Sequence, residues 1–302
     1  MATLYTHASQ NIFKTWLLIF VFSILVIFLG WIFSYYWQSP AILIFAVIFS
    51  ILTSFVSYWN SDKIILATSH AQLVSRKENP DLYNIVENLS ITAGLPAPKI
   101  YIIEDSAMNA FATGRNKEHA VIVFTRGLLN KLNKAELEGV AAHELSHIGN
   151  KDILLSGVVV VLVGLVSIAS QMSLRMSFFG GRRRSNDNND SQLGAILALV
   201  SLIAAILAPI AATLLQLAIS RKREFLADAS GVLLTRYPEG LASALEKISH
   251  DSTELRFASP ATAHLYIENP FKEKQRTSWF VKLFMTHPPV EERIKILREM
   301  DI

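Results

Sequence analysis

His143-Glu144-Leu145-Ser146-His147 decides how the rest of the chain is to be understood. On an α-helix, residues four apart share a face, so the imidazoles of His143 and His147 can grip one ion together. Glu144, one step round the helix from His143, can sit beside a water held at that ion and take its proton. An ion with an open coordination position and a carboxylate base is the machinery of peptide-bond hydrolysis. The surrounding residues predict the required helix. Asn133, with Glu136 three residues on, has the form of an N-cap and capping box, and Leu137, Val140, Ala141 and Leu145 supply a helical apolar stripe.

The chain is too apolar for an ordinary soluble enzyme: 51% of its 302 residues are hydrophobic, and mean hydropathy is +0.35. The apolar residues are clumped. Trp16 to Trp37 carries no charge over 22 residues, enough for about 33 Å of helix. Ala41 to Trp59 is a second uncharged run, after Gln38-Ser39-Pro40, and Ile153 to Leu174 and Leu193 to Ile219 are two more. Trp16, Trp31, Tyr35, Tyr36, Trp37, Tyr58 and Trp59 cluster towards the ends of the first two runs, as interfacial aromatics do. We expect an integral membrane protein whose N-terminal run is a retained anchor: it is too long for a signal peptide and a second run follows at once. The absence of cysteine excludes thiolate ligands, disulfides and a cysteine nucleophile. Any zinc must then be held by histidine and carboxylate.

The chain divides into an N-terminal membrane hairpin (1–59, apolar from residue 12), a polar segment (60–151), a second apolar hairpin (152–219) and a polar C-terminal part (220–302). Ten basic residues lie in 60–151, and Arg221, Lys222 and Arg223 follow the last apolar run, whereas the 38–40 turn has none. Such asymmetry places the N-terminus and both polar parts in the cytoplasm. In a membrane protein the net charge of +3 reports orientation before it reports nucleic acid, and no nucleic-acid partner is expected. Arg182-Arg183-Arg184, in the loop of the second hairpin, opposes this rule if both later runs span. Whether 153–219 crosses fully stays open at this stage. Within 60–151, a helix is predicted over Pro80–Ala93. Strands are predicted at Lys99–Glu104 and His119–Phe124, with Met108–Gly114 between them.

Two histidines do not hold a catalytic zinc, and a third protein ligand is needed. On a continuous helix His147 would lie about 9 Å before the apolar run at Ile153, and Glu224 about 7.5 Å after Ile219. Helices leaving and re-entering one membrane face would therefore put His147 and Glu224 at matching heights, within about 10 Å of the bilayer. Asp228, four residues after Glu224, can reach the second nitrogen of a ligand histidine and fix its tautomer. His7, His70, His119, His250 and His264 are weaker ligand candidates, since an isolated histidine is usually structural or solvated. Arg293 sits in an amphipathic final helix with Val290, Ile294 and Leu297, where a structural ion pair is expected of it.

Several stretches, in order, carry a family resemblance: Asn109-Ala-Phe-Ala-Thr-Gly114, Ala141-Ala-His-Glu-Leu-Ser-His147 with Asp152 after it, Ser220-Arg-Lys-Arg-Glu-Phe-Leu-Ala-Asp228, and Thr286-His-Pro-Pro289 with Arg293. Over essentially its whole length the chain resembles the HtpX-type membrane zinc proteases, relatives of the eukaryotic CAAX-processing enzymes. The resemblance implies an α-helical membrane protein with an α+β zinc-metalloprotease (gluzincin-like) catalytic domain, a small β-sheet lying beside the His143–His147 helix. It implies one zinc ion per subunit on His143, His147 and Glu224, with Glu144 as base. It makes Asn109, Ala110 and Phe111 part of a substrate-binding edge strand, and His287 a polar group near the reacting carbonyl. Without the resemblance, Asn109 would be a turn former and Thr286-His287-Pro288 a helix start.

The expected function is zinc-dependent endopeptidase activity on misfolded or damaged membrane proteins, or on peptides from them, at the cytoplasmic face of the bacterial inner membrane. Cooperation with other membrane proteases belongs to the same expectation. Two alternatives are a processing protease with one membrane-associated partner and a non-enzymatic membrane scaffold. Charged residues within the spans would favour a transporter, and the four runs have none.

Overall fold

The structure, a computed structural model, describes residues 4–180, 221–259, 261–270 and 288–301. The run Leu193–Ile219, the Arg182–Arg184 loop and His287 lie outside the described residues.

Two long helices open the chain, α1 (Leu4–Tyr36) and α2 (Pro40–Thr68). Pro40 stands in the first turn of α2, where its fixed φ suits the helix and its missing N–H costs nothing. The helices pack antiparallel. Ser23 and Ser54 hydrogen-bond across them at 3.0 Å, and Trp16 stacks on Tyr58 with centroids 5.3 Å apart. At Gly30 they approach so closely that an added Cβ would lie 2.3 Å from that of Ala46. Their outer faces expose Phe20, Ile24, Phe28, Phe45, Ile48 and Phe55. Ser9–Tyr36 and Pro40–Thr68 are each long and apolar enough to cross a membrane. Helix α2 does not stop with the uncharged run at Trp59 but continues for two more turns, through Asp62 and Lys63.

A mixed four-stranded sheet follows, with β1 (Gln72–Leu73), β2 (Lys99–Ile103), β3 (Ala110–Thr113) and β4 (Val121–Thr125) in the order β1-β2-β4-β3. Strands β2 and β4 are parallel, and β3 runs antiparallel to β4 at the sheet edge. Every residue of β3 and β4 is buried, because both sheet faces are covered. Ile100, Ile102, Ile122 and Phe124 belong to one core with α3 (Pro80–Ala93), while Ile103, Phe111, Val121 and Val123 belong to a second core with residues of α1 and of the later helix Asp152–Gly180. Alternation along a strand sends successive side chains to opposite faces, so a single small sheet serves both cores. The short helix α4 (Arg126–Lys131) leads on from β4.

Helix α5 (Lys134–Gly149) carries the histidines. Its start is fixed as the sequence predicts: Asn133 accepts from the Glu136 N–H at 3.0 Å, and Glu136 accepts from the Asn133 N–H at 2.9 Å. Its end differs from expectation. The helix does not run on into the apolar stretch. Asn150 caps it, Lys151 takes a positive φ of 58°, and α6 (Asp152–Gly180) sets off at 83° to it. The height estimate from continuous helical rise therefore does not hold. Burial of the first turns of α6 in one core with α1 and α2 brings α5 to the membrane helices instead. Helices α7 (Arg221–Thr235), α8 (Pro238–His250) and α9 (Val290–Arg298) complete the described fold, with α7 and α8 packed on α5.

Candidate metal centre

Helical spacing puts His143 and His147 on one face of α5, with Nε2 atoms 3.2 Å apart. Helix α7 supplies Glu224, whose carboxylate lies 3.8 Å from His143 Nε2 and 3.7 Å from His147 Nε2. The approach of α7 depends on Gly231: a Cβ there would stand 3.0 Å from the backbone nitrogen of His143. His143, His147 and Glu224 are the one group of three potential donors gathered this closely among the described residues, all within 4.8 Å of one another. Bonds of about 2.0–2.1 Å to a tetrahedral zinc place ligand atoms about 3.3–3.4 Å apart. The donor set of two imidazoles and a carboxylate, at these spacings, fits that ion.

The outer nitrogens of the two imidazoles are both engaged. His143 Nδ1 lies 2.9 Å from Asp228 Oδ1, and His147 Nδ1 lies 2.9 Å from Asp152 Oδ2. Carboxylates in these positions fix ring orientation and raise basicity. Arg293, from α9, is fully buried and donates to both oxygens of Asp228, Nε to Oδ2 at 2.8 Å and Nη2 to Oδ1 at 2.7 Å. Its Nη1 donates to the Ile267 carbonyl at 3.0 Å and lies 3.6 Å from Glu224. Arg293 is thus the ion-pair residue expected of it, set directly behind the ligands.

The electrostatics follow from burial and these partners. Burial pushes the Glu144 carboxyl up to about 7, and the neighbouring Glu224 charge adds to it, while His147, Arg293 and the Ala112 N–H pull the other way. Burial lowers His143 and outweighs the pull of Asp228. Burial would lower His147 as well, but Asp152, Glu224 and Glu144 overcome it and raise the group to about 9. Burial pushes Asp228 up, yet Arg293 and His143 hold it below the ordinary carboxylate range.

A cleft of about 490 Å³, counting its open mouth, is lined by Glu144, the three candidate ligands, Ala112 of β3 and Tyr266. Strand β3 presents here the edge that does not pair with β4. The Ala110 carbonyl points off the sheet and accepts from Ile267 N–H at 2.9 Å. Ala112, two residues on, presents its backbone the same way, and its N–H favours the charged form of the Glu144 carboxyl. Asn109 is buried, and its Nδ2 donates to the Glu268 carbonyl at 2.9 Å. Phe111 packs edge-on against Tyr266 at 5.1 Å. The structure therefore ties Asn109, Ala110 and Phe111 to the segment 266–268.

The fold gathers together His143, Glu144, His147, Glu224 and Asp228, the residues that the sequence singles out. Asp152, a carboxylate five residues after His147, takes its place through tertiary structure alone. Only the bend after Gly149 returns that carboxylate to His147. His264 lines the cleft outside the donor group. Of the other candidates with described side chains, His70 packs on Phe257, His119 on Arg115 and Asn116, and His250 on Glu246.

Comparison with known proteins accords with this geometry. Residues 76–301 match the model of peptidase family M48. A protease HtpX homolog from Dictyoglomus turgidum is 46% identical over 299 residues, covering 99% of this chain and 95% of its own. Another, from Caldanaerobacter subterraneus subsp. tengcongensis, is 45% identical over 303 residues, with 99% of each chain covered. A third, from Streptococcus gordonii, is 43% identical over 300 residues, covering 98% of this chain and 100% of its own. Among solved structures, that of S. mikatae Ste24p aligns at 17% identity and a TM-score of 0.49, covering 97% of this chain and 67% of that one. Family match, near full-length relatives and two apolar helices together define what the chain is: a member of peptidase family M48, and thus a metalloprotease associated with membranes.

Proposed function

We propose that the chain is a zinc-dependent endopeptidase of the bacterial cell membrane that cleaves misfolded or damaged membrane proteins at the cytoplasmic face. The observation that carries this reading is the donor triangle of His143, His147 and Glu224, 3.2 to 3.8 Å on a side, at the head of a helix packed on α1 and α2. In it His143, His147 and Glu224 would hold the zinc, and Asp228 orients His143. When bound, the metal supplies Lewis acidity to a water and to the peptide carbonyl. Glu144, buried beside the three ligand residues, takes a proton from the attacking water and passes it to the leaving nitrogen. The edge of β3 receives the substrate as an added strand, with Asn109, Ala110 and Phe111 fixing that edge in place. His287 stabilises the charge developing on the carbonyl oxygen, a role that rests on the family resemblance alone. The ten basic residues of 60–151 support the cytoplasmic placement, and a site beside membrane helices favours membrane-tethered chains.

The test is Glu144→Gln in the full-length chain in detergent, set against wild type on a destabilised membrane-protein substrate. The variant should retain its zinc and lose cleavage. Retained cleavage would remove Glu144 from the role of base, and cleavage confined to one partner protein would replace quality control by specific processing.

A further inference from the structure

Asn11 is a buried polar residue in an apolar helix, 3% exposed near the start of the first span. Burying an amide there is costly unless its hydrogens are bonded. Both Nδ2 hydrogens have partners far along the chain: Asp152 Oδ1 at 2.7 Å and the Asn150 carbonyl at 3.1 Å. These two acceptors stand on either side of Lys151, the residue with positive φ at the 83° bend between α5 and α6. One side-chain amide thus closes the bend from both ends.

The same contact reaches the metal centre. Asp152 uses its two oxygens separately: Oδ2 faces His147 Nδ1 at 2.9 Å, while Oδ1 takes Asn11 and, at 3.4 Å, Arg223. A carboxylate is free to rotate about its last bond, and donors on one oxygen fix where the other points. We propose that Asn11 is a positioning residue of the metal centre, acting through Asp152 on His147, so that α1 is part of the catalytic apparatus as well as an anchor. This rests on the reading of His147 as a metal ligand.

The experiment is zinc affinity of the full-length chain in detergent micelles, measured with Zn²⁺ in competition with a chromophoric chelator. Asn11→Leu keeps the side-chain shape and removes both donors. It should weaken zinc binding about tenfold, and Asp152→Asn about 10- to 100-fold, the range for partners of metal-bound histidines. Because Asn11 acts through the Asp152 carboxylate, Asn11→Leu on the Asp152→Asn background should cost less than about threefold. Thr15→Val, which removes a buried hydroxyl one turn along α1, should leave affinity unchanged. Wild-type affinity in Asn11→Leu, an equal loss in both backgrounds, or an equal loss in Thr15→Val would each overturn the proposal while leaving the ligand assignment intact. Unchanged affinity in His147→Ala would overturn both. Asn11→Ser, too short to reach Asp152, is the second variant if Asn11→Leu does not fold, with the same expected loss and the same overturning result.

Discussion

Arg293 and Asp228 form a bidentate ion pair wholly inside the protein, with Nε–Oδ2 at 2.8 Å and Nη2–Oδ1 at 2.7 Å. The pair joins α9 to the carboxylate that holds His143. The C-terminal helix is therefore part of the construction of the candidate metal centre, although Arg293 lies 150 residues from His143 in the chain.

Arg293→Met should destabilise the fold by about 3–5 kcal/mol, because it leaves the Asp228 carboxylate buried without its counter-charge. Asp228→Asn in the same background should recover part of that loss, since the Asp228 charge is then gone, although Glu224 still lacks its Arg293 neighbour. Chemical denaturation of the four proteins of the cycle checks both outcomes. A cost for Arg293→Met no larger than that of an exposed arginine would contradict the burial of the pair.

Gly231→Val should push α7 away from α5, since even a Cβ would stand 3.0 Å from the His143 backbone. Overpacking of this kind costs about 1–3 kcal/mol. Here it also moves Glu224 and Asp228 relative to the histidines, so zinc affinity should fall along with the melting temperature. Gly164, whose added Cβ meets nothing within 4 Å, is the control: Gly164→Ala should leave zinc affinity unchanged and, by helix propensity, should not lower the melting temperature.

Ala112→Pro deletes the N–H that favours the charged Glu144 carboxyl while leaving the β3–β4 ladder, which uses the other edge of the strand, in place. The lost N–H favoured the charged carboxylate, so its removal should move Glu144 further up and shift the acid limb of the pH–kcat profile to higher pH. Zinc content should be unchanged. An acid limb at the wild-type position would show that this N–H does not set the charge of the base.

Acid stability should depend on Glu136. Burial pushes its carboxyl up, but hydrogen bonds from Lys247, Ser243 and the Asn133 N–H outweigh that and hold it below the usual range. The folded state then binds this proton more weakly than the unfolded chain. The contribution is complete above the unfolded value of about 4.3 and is lost as pH falls through the depressed folded value. Glu136→Gln should flatten the pH dependence of stability below about pH 5, as measured by denaturant titration at a series of pH values. Unaltered slopes would exclude Glu136 as a contributor.

What the sequence determined by itself was local. The capping box at Asn133 and Glu136, the four-residue spacing of His143 and His147, the helix Pro80–Ala93 and the uncharged stretches of α1 and α2 are all matters of short-range spacing or composition. Each appears in the structure, and Asp228 followed from Glu224 by the same helical spacing. The bend after α5 was half legible. Gly149-Asn150 followed by Asp152 is a helix stop and start, but local signals do not set an angle. Only packing of α6 against α1 and α2 fixes 83° and returns Asp152 to His147. Asn11 and Arg293 reach the centre from the two ends of the chain, through contacts that no sequence period encodes. Tertiary structure decided these, because a buried charge or amide is tolerable only where distant segments bring it a partner.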